Sequence, residues 1–215
     1  IRRYMVKQPF KGSGKCLSWK SFLKNQAKGI LAMDFMVEYT VGFKMVYILI
    51  IMELKTRRIV NYGVTENPTL EWTKNRLRAA MSENENTKFI IHDNDGIYGQ
   101  YGGKSDRAYR CNLDKWLYES LGVKGVPIPW GAPNANAHVE RVIGTIQREC
   151  LDHLIIMNER HLYLVLKEYI EWYNRGRYHQ GIEGIPDAYP ELQGTKPANG
   201  NLKAIPVLNG LHHDY

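Results

Sequence analysis

Apolar residues arrive in short blocks along the chain. The first clear block, "ILAMDFMV" at 30–37, is apolar at every position but one. A run of that kind fits a strand covered on both faces. Two more blocks follow after short links, "KMVYILIIMEL" at 44–54 and "RRIVNYGVT" at 57–65. With the first strand taken as 29–37, short links predict three antiparallel strands in sequence. Asn67-Pro68-Thr69 then opens a helix to about Ser82, with Leu70, Leu77 and Met81 on one side. "KFIIHD" at 88–93 is a short strand ending in a carboxylate.

The pattern then loosens into a glycine-rich loop, "GIYGQYGGKSDR". A helix around 112–121, a strand "VKGVPI" and a loop "PWGAPNAN" precede a helix over roughly 134–151. Val139, Val142, Ile143, Ile146 and Cys150 form its apolar stripe, and Ala137, Glu140, Gly144 and Gln147 share the adjoining side. Asn158 caps one more helix, with Leu162, Val165, Leu166, Tyr169 and Tyr173 inward, ending in the basic-aromatic turn "NRGRYHQG". At the ends, Ser18 caps a short helix, "SWKSFLKNQAKG", behind a basic arm, and "KAIPVLNGLHH" suggests a late strand. Antiparallel strands first and helix-linked strands later predict one mixed sheet with helices packed on it. The implied division is an arm over 1–28, a core over 29–181 and an extension over 182–215.

Composition narrows the partner. Lys and Arg number 29 against 22 Asp and Glu, a net charge of +7, which favours a polyanion. Three scattered cysteines form no CxxC pair and no zinc spacing, which suits a reducing, cytoplasmic compartment. No apolar run approaches the roughly 18 residues of a membrane span. The chain opens on Ile1 with no signal peptide, which suggests a piece of a longer protein.

The chemistry concentrates in three carboxylates. Asp34 interrupts an apolar strand, where a lone charge is costly. Asp93 ends the fourth strand, and Glu140 borders the stripe of a late helix. If the first and fourth strands are neighbours, the aspartates stand side by side and the helix can bring Glu140 over them. Three such anions repel one another unless cations neutralise them. Mg²⁺ takes oxygen ligands, and a pair of ions suits phosphoryl transfer. Plainer readings compete. Asp34 could pair with one Arg, "HDNDG" could be a simple turn, and Glu140 could be a solvated surface residue. Asp95 competes with Asp93, and Glu38 with Asp34.

Six segments carry a resemblance: "SWKSFLKNQAKGILAMDFMVE", "IMELKTRRIVNYGVTENPTLEW", "FIIHDNDGIYG", "PNANAHVERVIGTIQRECLDH", "NERHLYLVLKEYIEWYNRGRYHQGI" and "PVLNGLHH". In this order they resemble the catalytic core of the retroviral-integrase superfamily, specifically the integrase-core transposases of bacterial insertion sequences. The resemblance implies a ribonuclease H-like α/β fold with a mixed five-stranded sheet. It implies a DDE triad of Asp34, Asp93 and Glu140 holding two Mg²⁺ ions, with Mn²⁺ able to substitute. It also implies double-stranded DNA partners, namely element ends and target, and self-association. The implied activity is cleavage of element-end DNA and joining of its 3′-hydroxyl to target DNA. A nuclease of the same fold that only hydrolyses, or an inactive DNA-binding relative, are the alternatives. Arg141, Gln147, Arg148, Arg175, Arg177 and His179 are the candidate DNA contacts, and His92 is a candidate orienter of Asp93. Asp93, five residues before Tyr98, takes the family's second Asp position, which leaves Asp95 as a turn-former.

Two departures stand out. Asp93 and Glu140 are separated by 46 residues, more than is usual in the family, with the surplus in "GQYGGKSDRAYRCN". Loops accept such insertions cheaply, and this one carries Lys104, Arg107 and Arg110. One turn after Glu140, where relatives often carry a basic residue, stands Gly144. Residues 1–28 contain no recognisable DNA-reading domain.

Overall fold

The computed structural model describes residues 29–93, 95–99, 111–128, 136–188 and 204–214. The arm, its short helix and the basic part of the long loop lie outside these. The elements run β1 (Ile30–Tyr39), β2 (Met45–Glu53), β3 (Ile59–Thr65), α1 (Leu70–Ser82), β4 (Phe89–His92), α2 (Asn112–Leu121), β5 (Lys124–Pro127), α3 (Ala137–Glu149), α4 (Glu159–Arg175), β6 (Ile205–Val207) and β7 (His212–Asp214).

β1 to β5 form one sheet in the order β3-β2-β1-β4-β5. β1, β2 and β3 pair antiparallel, while β4 runs parallel to β1 and β5 parallel to β4. Hairpin links suffice for the first three strands, but each parallel step needs a crossover, and α1 and α2 supply them. Thr69 caps α1 by accepting from the Trp72 amide, and Asn158 caps α4 by accepting from the His161 amide.

The period of two along β1 sorts its side chains between two cores. Ile30, Ala32 and Met36 pack with Val139, Ile146, Leu162 and Leu166 under α3 and α4. Leu31 and Met33 pack with Leu77, Leu113 and Leu117 under α1 and α2. Coverage on both faces explains the nearly unbroken apolar run. The same alternation sends Asp34 to the α3 side.

The late strand is instead a short hairpin, β6 and β7, broken by a 3-10 turn over Leu208–Gly210 in which Leu208, Asn209 and Gly210 all have positive φ. Its His212 ring stacks on Trp172 of α4 at 4.1 Å between centroids. The segment after residue 181 stays tied to the core: the His179 amide donates to the Gly184 carbonyl (2.8 Å) and the Asp187 amide to the Asn174 carbonyl (2.9 Å). No helix among the described residues is long and apolar enough to cross a membrane.

Candidate active site

Backbone register brings the first two carboxylates together. In the parallel pair, Ile30 stands opposite Phe89, Leu31 opposite Ile90 and Ala32 opposite Ile91. Continuing two residues sets Asp93, just past the end of β4, level with Asp34. Both positions share parity with Ala32 and Ile91, which lie in the core beneath α3.

The third carboxylate arrives on α3. Asn136, directly before that helix, is 3% exposed and donates from Nδ2 to the Met33 carbonyl at 3.2 Å. This bond fixes the start of α3 against β1 one residue from Asp34. One turn on, Glu140 stands exposed at the helix start. Asp34 feels all of these charges. Burial raises its carboxyl first, Asp93 adds to that, the Phe35 amide opposes it, and Glu140 and Asp95 add further, so that it is pushed up to about 7. The Phe35 amide donates to Asp34 Oδ1 at 2.9 Å.

Burial also raises Asp93, with the nearby charge of Asp95 reinforcing the effect and the Asp95 amide opposing it. Asp95 itself forms the turn: its Oδ1 accepts from the Ile97 amide at 3.0 Å, opening a 3-10 turn over Gly96–Tyr98. Tyr98 is 1% exposed. Burial first, then Asp93, Asp34 and Asp95, hold its phenol well above the ordinary tyrosine range. Its hydroxyl is buried beside Asp93.

The donor chemistry fits hard divalent cations. Asp93 and Glu140 both lie within electrostatic reach of Asp34, and that repulsion is what cations relieve. The three are spread wider than one ion's shell: among the described residues, the group with three donor atoms all within 4.8 Å is His92, Cys111 and Asp114. Two ions about 4 Å apart need a wider frame. The His92 cluster sits on the sheet's other face and is closed by its own hydrogen bonds. His92 Nε2 lies 2.8 Å from Asp114 Oδ1 and Nδ1 lies 2.6 Å from the Asp93 carbonyl, so both ring nitrogens are engaged.

The six candidate DNA contacts separate. Arg141 is exposed beside Glu140. Gln147 donates to Asp152 Oδ1 at 2.6 Å. Arg148 is exposed and reaches back over Gly144, where an added Cβ would stand 2.9 Å from its Nη1. Arg175 pairs with Glu171 at 3.1 Å. Arg177 is engaged inside the fold, with Nη2 and Nε donating to the two Glu149 carboxylate oxygens at 2.6 and 2.7 Å. His179 is buried, and its Nε2 donates to the Tyr173 carbonyl at 3.1 Å. Neither of the last two therefore faces solvent as an open phosphate contact. Asn136 and Tyr98 are site residues that sequence reasoning missed. An Asn before a helix signals only a cap, and Tyr98 showed only as an aromatic at a fixed distance from Asp93.

A mixed five-stranded sheet of this order, flanked by helices, is the ribonuclease H-like fold of integrase and transposase cores. The resemblance noted in the sequence is borne out. Residues 121–186 match the family described as integrase core domain. Over 148 residues the chain is 24% identical to "Putative transposase InsK for insertion sequence element IS150" of Escherichia coli (strain K12), covering 69% of this chain and 49% of that one. Over 147 residues it is 31% identical to "Insertion element IS600 uncharacterized 31 kDa protein" of Shigella sonnei, covering 67% and 51%. The chain thus spans about half the length of these two relatives. Among solved structures, the simian T-cell lymphotropic virus intasome in complex with PP2A regulatory subunit B56 gamma aligns with TM-score 0.58 at 12% identity, over 87% of this chain and 66% of that one. The HTLV-2 integrase catalytic core domain in complex with magnesium (trimeric form) aligns with TM-score 0.54 at 12% identity, over 74% and 93%. At these identities the structural likeness speaks to fold alone.

Proposed function

We propose that this chain is the catalytic core of a metal-dependent DNA transposase that cleaves element-end DNA and joins the freed 3′-hydroxyl to target DNA. The observation that carries this reading is the meeting of Asp34, Asp93 and Glu140 from three separate elements, where burial of Asp34 and then the charges of Asp93 and Glu140 raise its carboxyl. Asp34, Asp93 and Glu140 would hold two Mg²⁺ ions, or Mn²⁺. Bound there, the ions lower the pKa of an attacking oxygen and neutralise charge on the phosphate and leaving group.

The first step is hydrolysis. A water oxygen bonds to phosphorus, the bond from phosphorus to the 3′-oxygen breaks, and that oxygen leaves as a hydroxyl. In the second step the hydroxyl oxygen attacks a target phosphorus and displaces the target's own 3′-oxygen. The number of phosphodiester bonds is conserved in that exchange. Both are in-line displacements that demand alignment more than a protein nucleophile. The strands β1 and β4 hold the aspartates rigidly, and the Asn136–Met33 bond fixes the helix that carries Glu140. Arg141, Arg148 and Arg175 are the proposed backbone-phosphate contacts, and Gln147 lines the same helix. Arg177 and His179, engaged with Glu149 and Tyr173, are not part of that set. The substrate is double-stranded DNA in the bacterial cytoplasm, and the working form is a homo-oligomer.

The test is a joining assay with a labelled duplex that ends in the repeat flanking the coding sequence in its genome. Asp34→Asn, Asp93→Asn and Glu140→Gln should each abolish joining while melting cooperatively. Cutting without joining by the wild-type chain would replace this reading with a hydrolytic nuclease.

A further inference from the structure

A second cluster, of basic residues, stands at the start of the helix that carries Glu140. Arg57 sits in the turn between β2 and β3, at φ +65, a backbone region that an arginine seldom adopts. Its Nη2 lies 3.3 Å from Nε2 of His138, in the first turn of α3. A guanidinium can only donate, so Nε2 accepts and the imidazole proton stands on Nδ1. Nη1 of Arg57 is buried with no hydrogen-bond partner among the described residues. Arg141 stands three residues on along the same helix, on the same side as His138, and is exposed.

The neighbouring turn residue makes the contrast. Arg58 is paired with Glu83 at 3.4 Å and with Asp187 at 3.3 Å. Among the described residues Arg57 and Arg141 make no ion pair of that kind, and both stand at the start of the helix that carries Glu140. A buried donor without an acceptor marks a place where an ion or ligand completes the structure. Guanidinium groups suit phosphate, because their planar forks donate in parallel pairs.

We propose that Arg57, His138 and Arg141 form an anion site that takes a backbone phosphate of the DNA strand lying next to Glu140. This rests on the transposase reading, and deepens it by assigning Arg57, from a turn far away in sequence, to substrate positioning. The ligand is a phosphodiester group. Specific bases play no part, so the contact fixes strand position without reading sequence.

Arg57→Gly is the informative variant, because glycine accepts the positive φ at no steric cost. The full chain is titrated with a fluorescent 30-base-pair duplex in EDTA over a range of NaCl, beside Arg78→Ala on the far face as a control. The site predicts that R57G melts at or above wild type yet binds duplex on the order of tenfold more weakly at low salt. It also predicts a slope of log K against log[salt] that is shallower by about one. Arg57→Lys should recover the slope and only part of the affinity. An unchanged slope and affinity in R57G overturns the proposal, as does a lower melting temperature with unchanged DNA binding, which would make Arg57 merely structural. In a parallel arm, pyrophosphate raises the melting temperature. If R57G abolishes that rise but leaves the DNA slope intact, the site belongs to a free anion and the DNA contact is overturned. These measurements use no metal and no joining, so failure of the joining assay leaves them standing, and their failure leaves the triad untouched.

Discussion

Nε2 of His92 stands 2.8 Å from Oδ1 of Asp114, a pair between β4 and α2 that is almost wholly buried. The other ring nitrogen lies 2.6 Å from the carbonyl of Asp93. Asp114 therefore orients an imidazole that in turn holds the backbone of a proposed metal ligand. Removing one partner of a buried charged or hydrogen-bonded pair costs roughly 3 kcal/mol. Asp114→Ala should destabilise by about that amount and lower joining even where the protein remains folded, while Asp114→Asn, which keeps a hydrogen-bonding oxygen, should recover much of the stability. Urea melts paired with joining rates check both. A second route to the same pair is Gly125, whose missing Cβ leaves the space that the Asp114 carboxylate fills. Gly125→Ala should reproduce the Asp114→Ala loss.

Asp34 should impose a pH dependence on the metal-free protein. Its carboxyl is raised from the ordinary 3.8 to about 7 in the fold, so the folded state holds a proton that the unfolded state has released between those values. Stability from this group is full below pH about 4 and falls as pH rises toward 7. Partial solvent access trims the loss to roughly 1–2 kcal/mol. Asp34→Asn should flatten that slope and stabilise the metal-free protein at pH 8. Thermal melts in EDTA from pH 4 to 8 read it directly, and a wild-type curve as flat as the variant's would contradict the crowding of charge at this site. Added Mg²⁺ should raise the wild-type melting temperature more at pH 8 than at pH 5.5, since proton and cation compete for the same oxygens.

Much of the core was legible in the sequence because its signals are local. The apolar run around Asp34 announces a strand buried on both faces, and Thr69 and Asn158 announce helix starts that the structure keeps. Pairing was less legible. The register that sets Asp93 beside Asp34 joins strands far apart in the chain, so the sequence pattern offered it only as a condition, that the first and fourth strands be neighbours. Arg177 looked like a free cation because its partner Glu149 lies 28 residues away on another helix. Asn136 bonds across 103 residues to Met33, a tie that no periodicity carries. The terminal hairpin eluded the pattern because three-residue strands are too short to show alternation.

The Arg177–Glu149 pair separates a structural role from a DNA contact. Burial pushes Glu149 up, but the two bonds from Arg177 and one from the Tyr169 hydroxyl at 3.0 Å outweigh it and hold the carboxyl below its usual range. Its contribution to stability is present above pH about 4.5 and is lost as pH falls through the lowered value. Arg177→Ala should cost about 2 kcal/mol at pH 7, discounted from a fully buried pair because both side chains keep some exposure. The slope of DNA binding against salt should not change. A slope shallower by about one would return Arg177 to the phosphate contacts.

Gly144 decides between helix stability and the placement of Arg148. Glycine inside a helix costs about 1 kcal/mol relative to alanine. An alanine Cβ there would meet Nη1 of Arg148 at 2.9 Å, closer than real contacts allow. The obstacle is the far end of a long exposed side chain, and shifting it costs a few tenths of a kcal/mol at most. The propensity gain wins, so Gly144→Ala should stabilise by roughly 0.5 kcal/mol. The same change lifts the guanidinium away from the helix surface it now covers. If that folded-back position is where Arg148 meets a phosphate, Gly144→Ala should weaken duplex binding even as it raises the melting temperature. Gly144→Lys should stabilise as well, yet restore a cation one turn after Glu140 and with it the affinity. Opposite signs in melting and binding for alanine, and the same sign for lysine, are the outcome to look for. Equal duplex affinity in all three chains would show that neither position touches DNA.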